Sequence, residues 1–112
     1  MAERARGTAA ADTAARHANP LIDDLGLAAA RHADRLLAEA QGRGVTRWST
    51  YLEPLPDRLR DDGIPGLRAA ALRARAAYGP KDSVRDALPP ELTEPFLESI
   101  DRLLREINRL RA

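Results

Sequence analysis

The sequence predicts an all-α fold, a compact bundle of four to five helices with a proline-kinked central helix and an amphipathic C-terminal helix. Three observations lead to this prediction. Apolar residues recur at three- and four-residue steps. Glycine and proline separate these runs. No segment shows the β-branched alternation that is typical of a strand. The 112 residues are enough for one domain with a modest core.

Residues 1–18 are alanine-rich with scattered charge, and nothing there can bury a helix face. We expect a flexible tail or a frayed helix at this end. The single helical domain is therefore predicted for residues 19–112.

The first long helix is predicted to begin at Asn19-Pro20, because asparagine caps helices and proline is tolerated at the first helical position. Asp23 and Asp24 follow in the first turn, where the helix dipole favours acids. One apolar face then continues to Gly42-Arg43-Gly44, which ends the helix. This face contains Ile22, Leu25, Ala29, Ala33, Leu36 and Ala40.

Thr46 is predicted to cap the central helix. Its apolar face is formed by Trp48, Tyr51, Leu52, Leu55 and Leu59. Pro54 and Pro56 lie inside this run, and each removes a backbone donor. We therefore expect a kink or a break at residues 53–56, with a short second piece that ends at Gly63.

Pro65 is predicted to open a further helix, which Gly79-Pro80 ends. Its packing residues are expected to be Leu67, Ala70, Ala71, Leu72, Ala74, Ala77 and Tyr78. Asp82 or Ser83 can then cap a short helical turn, from 84 to 88, before Pro89-Pro90.

The last helix, predicted from about Glu91 to Leu110, carries an apolar seam at coiled-coil spacing. The seam consists of Phe96, Ile100, Leu103, Ile107 and Leu110, and Leu97 and Leu104 widen it. Glu98–Arg102 and Asp101–Arg105 are spaced for ion pairs along the helix. The seam spans about two heptads, too short to be stable alone.

Composition argues against catalysis, so we expect no enzyme, no cofactor and no metal site. The chain has no cysteine and only two histidines, His17 and His32, neither with a second ligand at metal-site spacing. Its serines lack a nucleophile motif. No window suits a membrane span or a signal peptide, so a cytoplasmic protein is expected. The many alanines and 17 arginines beside one lysine are typical of a high-GC bacterial genome.

The first functional hypothesis is a protein–protein interaction or regulatory module. Two wide apolar stripes compete for one small core, so part of either can bind a second copy or another helical protein. The alternative is that both stripes are internal. The candidate partner-binding residues are Phe96, Ile100, Leu103, Ile107, Leu110, Trp48 and Tyr51.

The second hypothesis is a nucleic-acid-associated regulator. Residues 63–81 hold four cations and no acid, whereas residues 19–62 and 82–112 are both slightly acidic. These cations, Arg68, Arg73, Arg75 and Lys81, could bind phosphates. The net charge of +1 instead favours packing of this helix against its acidic neighbours.

The middle of the chain resembles a family of small uncharacterised bacterial helical proteins. The resemblance covers about 40 residues: a helix with Trp48 and Leu52, the Gly63–Leu67 segment, and the Ala77–Asp86 segment with its aromatic-Gly-x-x-Ser-apolar-x-Asp pattern. Pro80 stands where that pattern has a second glycine. The resemblance implies no activity, only that the Tyr78–Asp86 corner matters. Caps at Gly79 and Ser83 and an acid at Asp86 explain the same residues structurally.

Overall fold

The computed structural model describes the backbone of residues 2–110 and the side chains of residues 10–110. The helices are α1 (Ala2–His17), α2 (Pro20–Gly42), α3 (Thr46–Leu52), α4 (Leu55–Asp61), α5 (Ile64–Ala76), α6 (Val84–Ala87) and α7 (Pro90–Arg109). Residues 2–110 contain no strand. The predicted all-α bundle is therefore confirmed.

Helix α2 lies at the centre of the bundle, because α1, α3, α4 and α7 all pack against it. It begins as predicted, with the Asn19 Oδ1 accepting a hydrogen bond from the Ile22 backbone N–H at 3.3 Å. All six residues of its predicted apolar face are buried. Three of the six are alanines, so neighbouring helices can approach α2 closely.

The prolines break the central helix where the sequence predicts. Helix α3 ends at Leu52 and α4 begins at Leu55, with Pro54 as its N-cap residue and Pro56 in its first turn. The two pieces keep one buried face across the break. The predicted cap at Thr46 is wrong, because Val45 is the N-cap residue and Thr46 is already helical.

Helix α5 turns the predicted face to the core, except at Leu72. Leu67, Ala70, Ala71 and Ala74 are buried, but Leu72 is 41% exposed. Leu72 follows Leu67 by five residues, which is about 140° around a helix. It therefore points away from the core, and its predicted place in the packing is wrong. The helix ends at Ala76, and Ala77 rather than Gly79 is its C-cap residue.

The last turns of α1 lie against α2 and α5. Gly63 allows this close approach, because a Cβ atom there would lie 2.5 Å from Asp12 Cβ and 2.9 Å from the Thr13 backbone nitrogen. The flexibility expected of residues 1–18 stays a prediction. Residues 1, 111 and 112 lie outside the described residues.

Candidate functional site

The predicted seam of α7 forms the interior of the bundle. Phe96, Ile100, Leu103 and Ile107 are at most 1% exposed, and α7 packs against both α2 and α5. A partner could touch these four side chains only after one of those helices moved away. Leu110 differs, because it follows the last helical residue and is 53% exposed.

The two aromatic candidates on α3 also serve the fold. Trp48 is buried. Its ring and the Tyr51 ring pack edge-to-face, with their centroids 5.4 Å apart. The Tyr51 hydroxyl donates a hydrogen bond to the Arg73 carbonyl at 2.6 Å. Arg73 donates to the Tyr51 carbonyl at 3.2 Å and lies 4.1 Å from the ring centroid. This reciprocal contact fastens α3 to α5.

The four candidate phosphate-binding cations do not form one patch. Arg73 faces α3, as described above, whereas Arg68 and Arg75 face α7. There Arg68 Nε donates to Asn108 Oδ1 at 3.4 Å, and Arg75 forms an ion pair with Asp101. Lys81 is exposed in the loop that follows α5. Three of the four cations are thus engaged by their neighbours.

Two cavities lie on the outer surface between α5 and α7, and the Arg68–Asn108 contact links them. At one end, Ile64, Pro65 and Leu110 line a cavity of about 390 Å³. A second cavity, of about 400 Å³, includes Leu72, Leu104 and Arg105. We call this surface the α5–α7 groove. Its residues are Ile64, Pro65, Arg68, Leu72, Arg75, Asp101, Leu104, Arg105, Ile107, Asn108 and Leu110.

The charges on α7 are paired differently from the sequence prediction. Asp101 binds Arg75 of α5, so the predicted Asp101–Arg105 pair does not form. The predicted Glu98–Arg102 pair is also absent. Within residues 10–110, Glu98, Arg102 and Arg105 have no ion-pair partner. Glu91 in the first turn of α7 also has no ion-pair partner, so among residues 10–110 the outer side of α7 keeps four free charges.

The Tyr78–Asp86 corner fastens the loop after α5 to α7. The Tyr78 hydroxyl donates to the Thr93 carbonyl at 2.5 Å, and its ring lies 5.3 Å from the Arg85 guanidinium. Arg85 donates twice to the Glu94 carboxylate, at 2.8 and 2.9 Å. This ion pair lowers the pKa of Glu94. Ser83 caps α6 in a capping box, with Asp86 accepting from the Ser83 backbone N–H.

Burial raises the pKa of Tyr78 well above its ordinary value of 10, and the nearby Glu94 carboxylate adds to the rise. A raised pKa means that the folded state holds this proton more tightly than the unfolded state. Its contribution to stability is complete below pH 10 and is lost as the pH rises above that value. Above pH 10, we expect the free energy of unfolding to fall less per pH unit in Tyr78→Phe than in the wild type. Chemical denaturation monitored at several pH values measures this, and equal slopes would contradict it.

The remaining candidate for chemistry is His32, which lines a shallow groove between α2 and α7 with Glu98, Ser99 and Arg102. Burial, helped by Arg35 and Arg31, lowers the pKa of His32. Among the side chains described, no three histidine or acidic residues come together as metal ligands. No helix within residues 2–110 is long and apolar enough to cross a membrane.

Comparison with protein-family models, curated proteins and solved structures finds no match to this chain. The similarity of residues 48–86 to a small bacterial helical family therefore stays a prediction. Function has to be inferred from the molecular surface, and the α5–α7 groove is its most distinctive part.

Proposed function

We propose that this chain is a non-catalytic protein-interaction module that binds a second copy of itself through the outer surface of α5 and α7. The observation that carries the proposal is the α5–α7 groove. It holds two exposed leucines, Leu72 at 41% and Leu110 at 53%, in two cavities that the Arg68–Asn108 contact links. Apolar side chains grouped in this way favour association, because a partner removes them from water.

The charges of the groove suit a second copy better than a partner of one sign. A two-fold dimer brings the same patch of both subunits together, so that patch must complement itself. The groove itself holds three cations, Arg68, Arg75 and Arg105, and one acid, Asp101, while the acids Glu94 and Glu98 lie next to it on α7. This surface therefore carries charges of both signs, so two copies of it do not repel each other at every position.

Nucleic-acid binding has less support. Arg68, Arg73 and Arg75 already contact Asn108, Tyr51 and Asp101, and they do so on two sides of α5. A phosphate backbone would have to compete with these partners. Titration of duplex DNA at low salt checks the alternative, because such binding is strongly salt-dependent.

The double variant Leu72→Glu/Leu110→Glu tests the proposal. Both side chains are exposed, so the charged replacements leave the fold intact but have to be desolvated in a dimer. We expect association at least about tenfold weaker than that of the wild type. Sedimentation velocity from micromolar to near-millimolar protein measures it, with circular dichroism to verify folding.

Leu21→Glu is the matched control. Leu21 is 45% exposed on the first turn of α2 and does not line the α5–α7 groove. This variant should associate like the wild type. A wild-type chain that stays monomeric throughout the range overturns the proposal, as does equal weakening by Leu21→Glu.

A further inference from the structure

We infer that the second copy binds antiparallel across α7, with a two-fold axis that lies in the interface, perpendicular to that helix, at the level of residues 101 and 102. The inference rests on the proposed function. It adds the orientation of the second copy and names the charged residues that favour this orientation. It comes from the order of charges along the outer side of α7.

Seven charged residues of α7 lie opposite the buried seam: Glu91 in the first turn, and six further residues that form a stripe along the rest of the helix. At about 100° per residue they fall within an arc of about 100°. The first half of the stripe is acidic and the second half is basic. Its members, called here the charged stripe, are Glu94, Glu98, Asp101, Arg102, Arg105 and Arg109.

The stripe is its own complement when the helix is reversed. Reversal about the point between residues 101 and 102 exchanges Glu94 with Arg109, and Glu98 with Arg105. It also exchanges Asp101 with Arg102. Each acid of the charged stripe in one copy therefore meets an arginine of the other in an antiparallel pair, whereas Glu91 has no counterpart within α7. A parallel pair in register would place Glu98 against Glu98 and Arg105 against Arg105, which repel.

Contacts within the chain leave three of the six charges of the stripe available. Glu94, Asp101 and Arg109 pair with Arg85, Arg75 and Glu106. Glu98, Arg102 and Arg105 have no such partner among residues 10–110. The helix dipole favours acids near the start and cations near the end, but its effect falls off within the first and last turns. Glu98 and Arg105 lie outside both turns of α7, so the dipole does not explain their order.

The same two-fold axis brings apolar surface together. Leu97 and Leu104 flank the charged stripe on the side of α5, next to Leu72 in the α5–α7 groove. An antiparallel two-fold pair places this flank of one copy beside the same flank of the other. The half-buried Leu97 and the exposed Leu72 then supply the apolar contact, since Leu104 is only 7% exposed, while the charges fix orientation and partner choice.

Charge reversal tests the orientation. Glu98→Arg alone would face Arg105 of the second copy, and Arg105→Glu alone would face Glu98. Each single variant should weaken the dimer by about tenfold, because two attractive pairs become repulsive. The double variant Glu98→Arg/Arg105→Glu restores both pairs and should dimerise like the wild type. An equimolar mixture of the two single variants should form a heterodimer. Arg31→Glu, on the exposed side of α2, should leave the dimer unchanged.

Sedimentation velocity at low salt measures all of these states. The inference is overturned if the single variants dimerise normally, or if neither the double variant nor the mixture restores the dimer. In either of those cases a wild-type dimer still supports the proposed function. A wild-type chain that remains monomeric removes both proposals.

Discussion

Replacing Ile100 by glutamate is expected to unfold the protein. Ile100 is fully buried on α7, at the contact with its neighbouring helices. The substitution removes apolar packing and places a carboxyl group where no water can solvate it. We expect the free energy of unfolding to fall by more than about 4 kcal/mol, which is most of the roughly 5 kcal/mol that holds a marginally stable domain folded. Far-ultraviolet circular dichroism and thermal denaturation measure the loss of helix.

Leu110→Glu is the matched control, since it makes the same chemical change at another seam position. Leu110 is 53% exposed, so the new carboxylate stays in water. Its unfolding free energy should stay within about 0.5 kcal/mol of the wild type. If Ile100→Glu instead remains folded and loses only self-association, the seam is an interface between chains and its internal packing is wrong.

The seam shows how far sequence reasoning reaches on this chain. The spacing of Phe96, Ile100, Leu103 and Ile107 correctly predicts an amphipathic helix with these four on one face. The same spacing occurs whether the face packs within one chain or between two. Only tertiary structure shows that α2 and α5 cover it. The candidate partner-binding residues were therefore chosen by a pattern that does not distinguish these cases.

The α5–α7 groove was missed for a geometric reason. Leu72 was assigned to the core by its residue type, although its angular distance from Leu67 places it elsewhere on the helix. That angle was available in the sequence and would have marked Leu72 as a surface leucine. The Arg75–Asp101 pair was not available, because 26 residues separate its members and the packing of α5 on α7 brings them together.

No pattern in the sequence predicts the role of Arg16. The first 18 residues offer no apolar face, yet the Arg16 side chain is only 1% exposed. Its Nε donates to Asp23 Oδ1 at 2.8 Å, and its Nη1 donates to the Asp62 carbonyl at 2.7 Å. One guanidinium thus joins α1 to α2 and to the turn after α4. Attachment by a buried charge leaves no hydropathy pattern.

Arg16→Ala is expected to release the end of α1 from the bundle. Removal of the guanidinium leaves the half-buried Asp23 without its partner and the Asp62 carbonyl without a donor. We expect a loss of about 2–3 kcal/mol, below the usual cost of breaking a fully buried pair because Asp23 is partly solvated. Hydrogen exchange read by mass spectrometry should show lost protection in residues 10–17, with α2 and α7 still protected.

Two further variants separate the hydrogen bonds of Arg16 from its bulk. Arg16→Lys keeps the charge and much of the length but cannot reach both acceptors with a planar fork, so it should also release α1. Gly26→Ala instead crowds the guanidinium from α2 and leaves Arg16 itself unchanged. The added Cβ would lie 2.6 Å from Arg16 Nη2, a buried group without a hydrogen-bond partner of its own. Arg31→Ala, an exposed arginine, should leave exchange unchanged. If Arg16→Ala protects residues 10–17 as well as the wild type does, backbone packing at Gly63 holds α1 in place and the guanidinium does not.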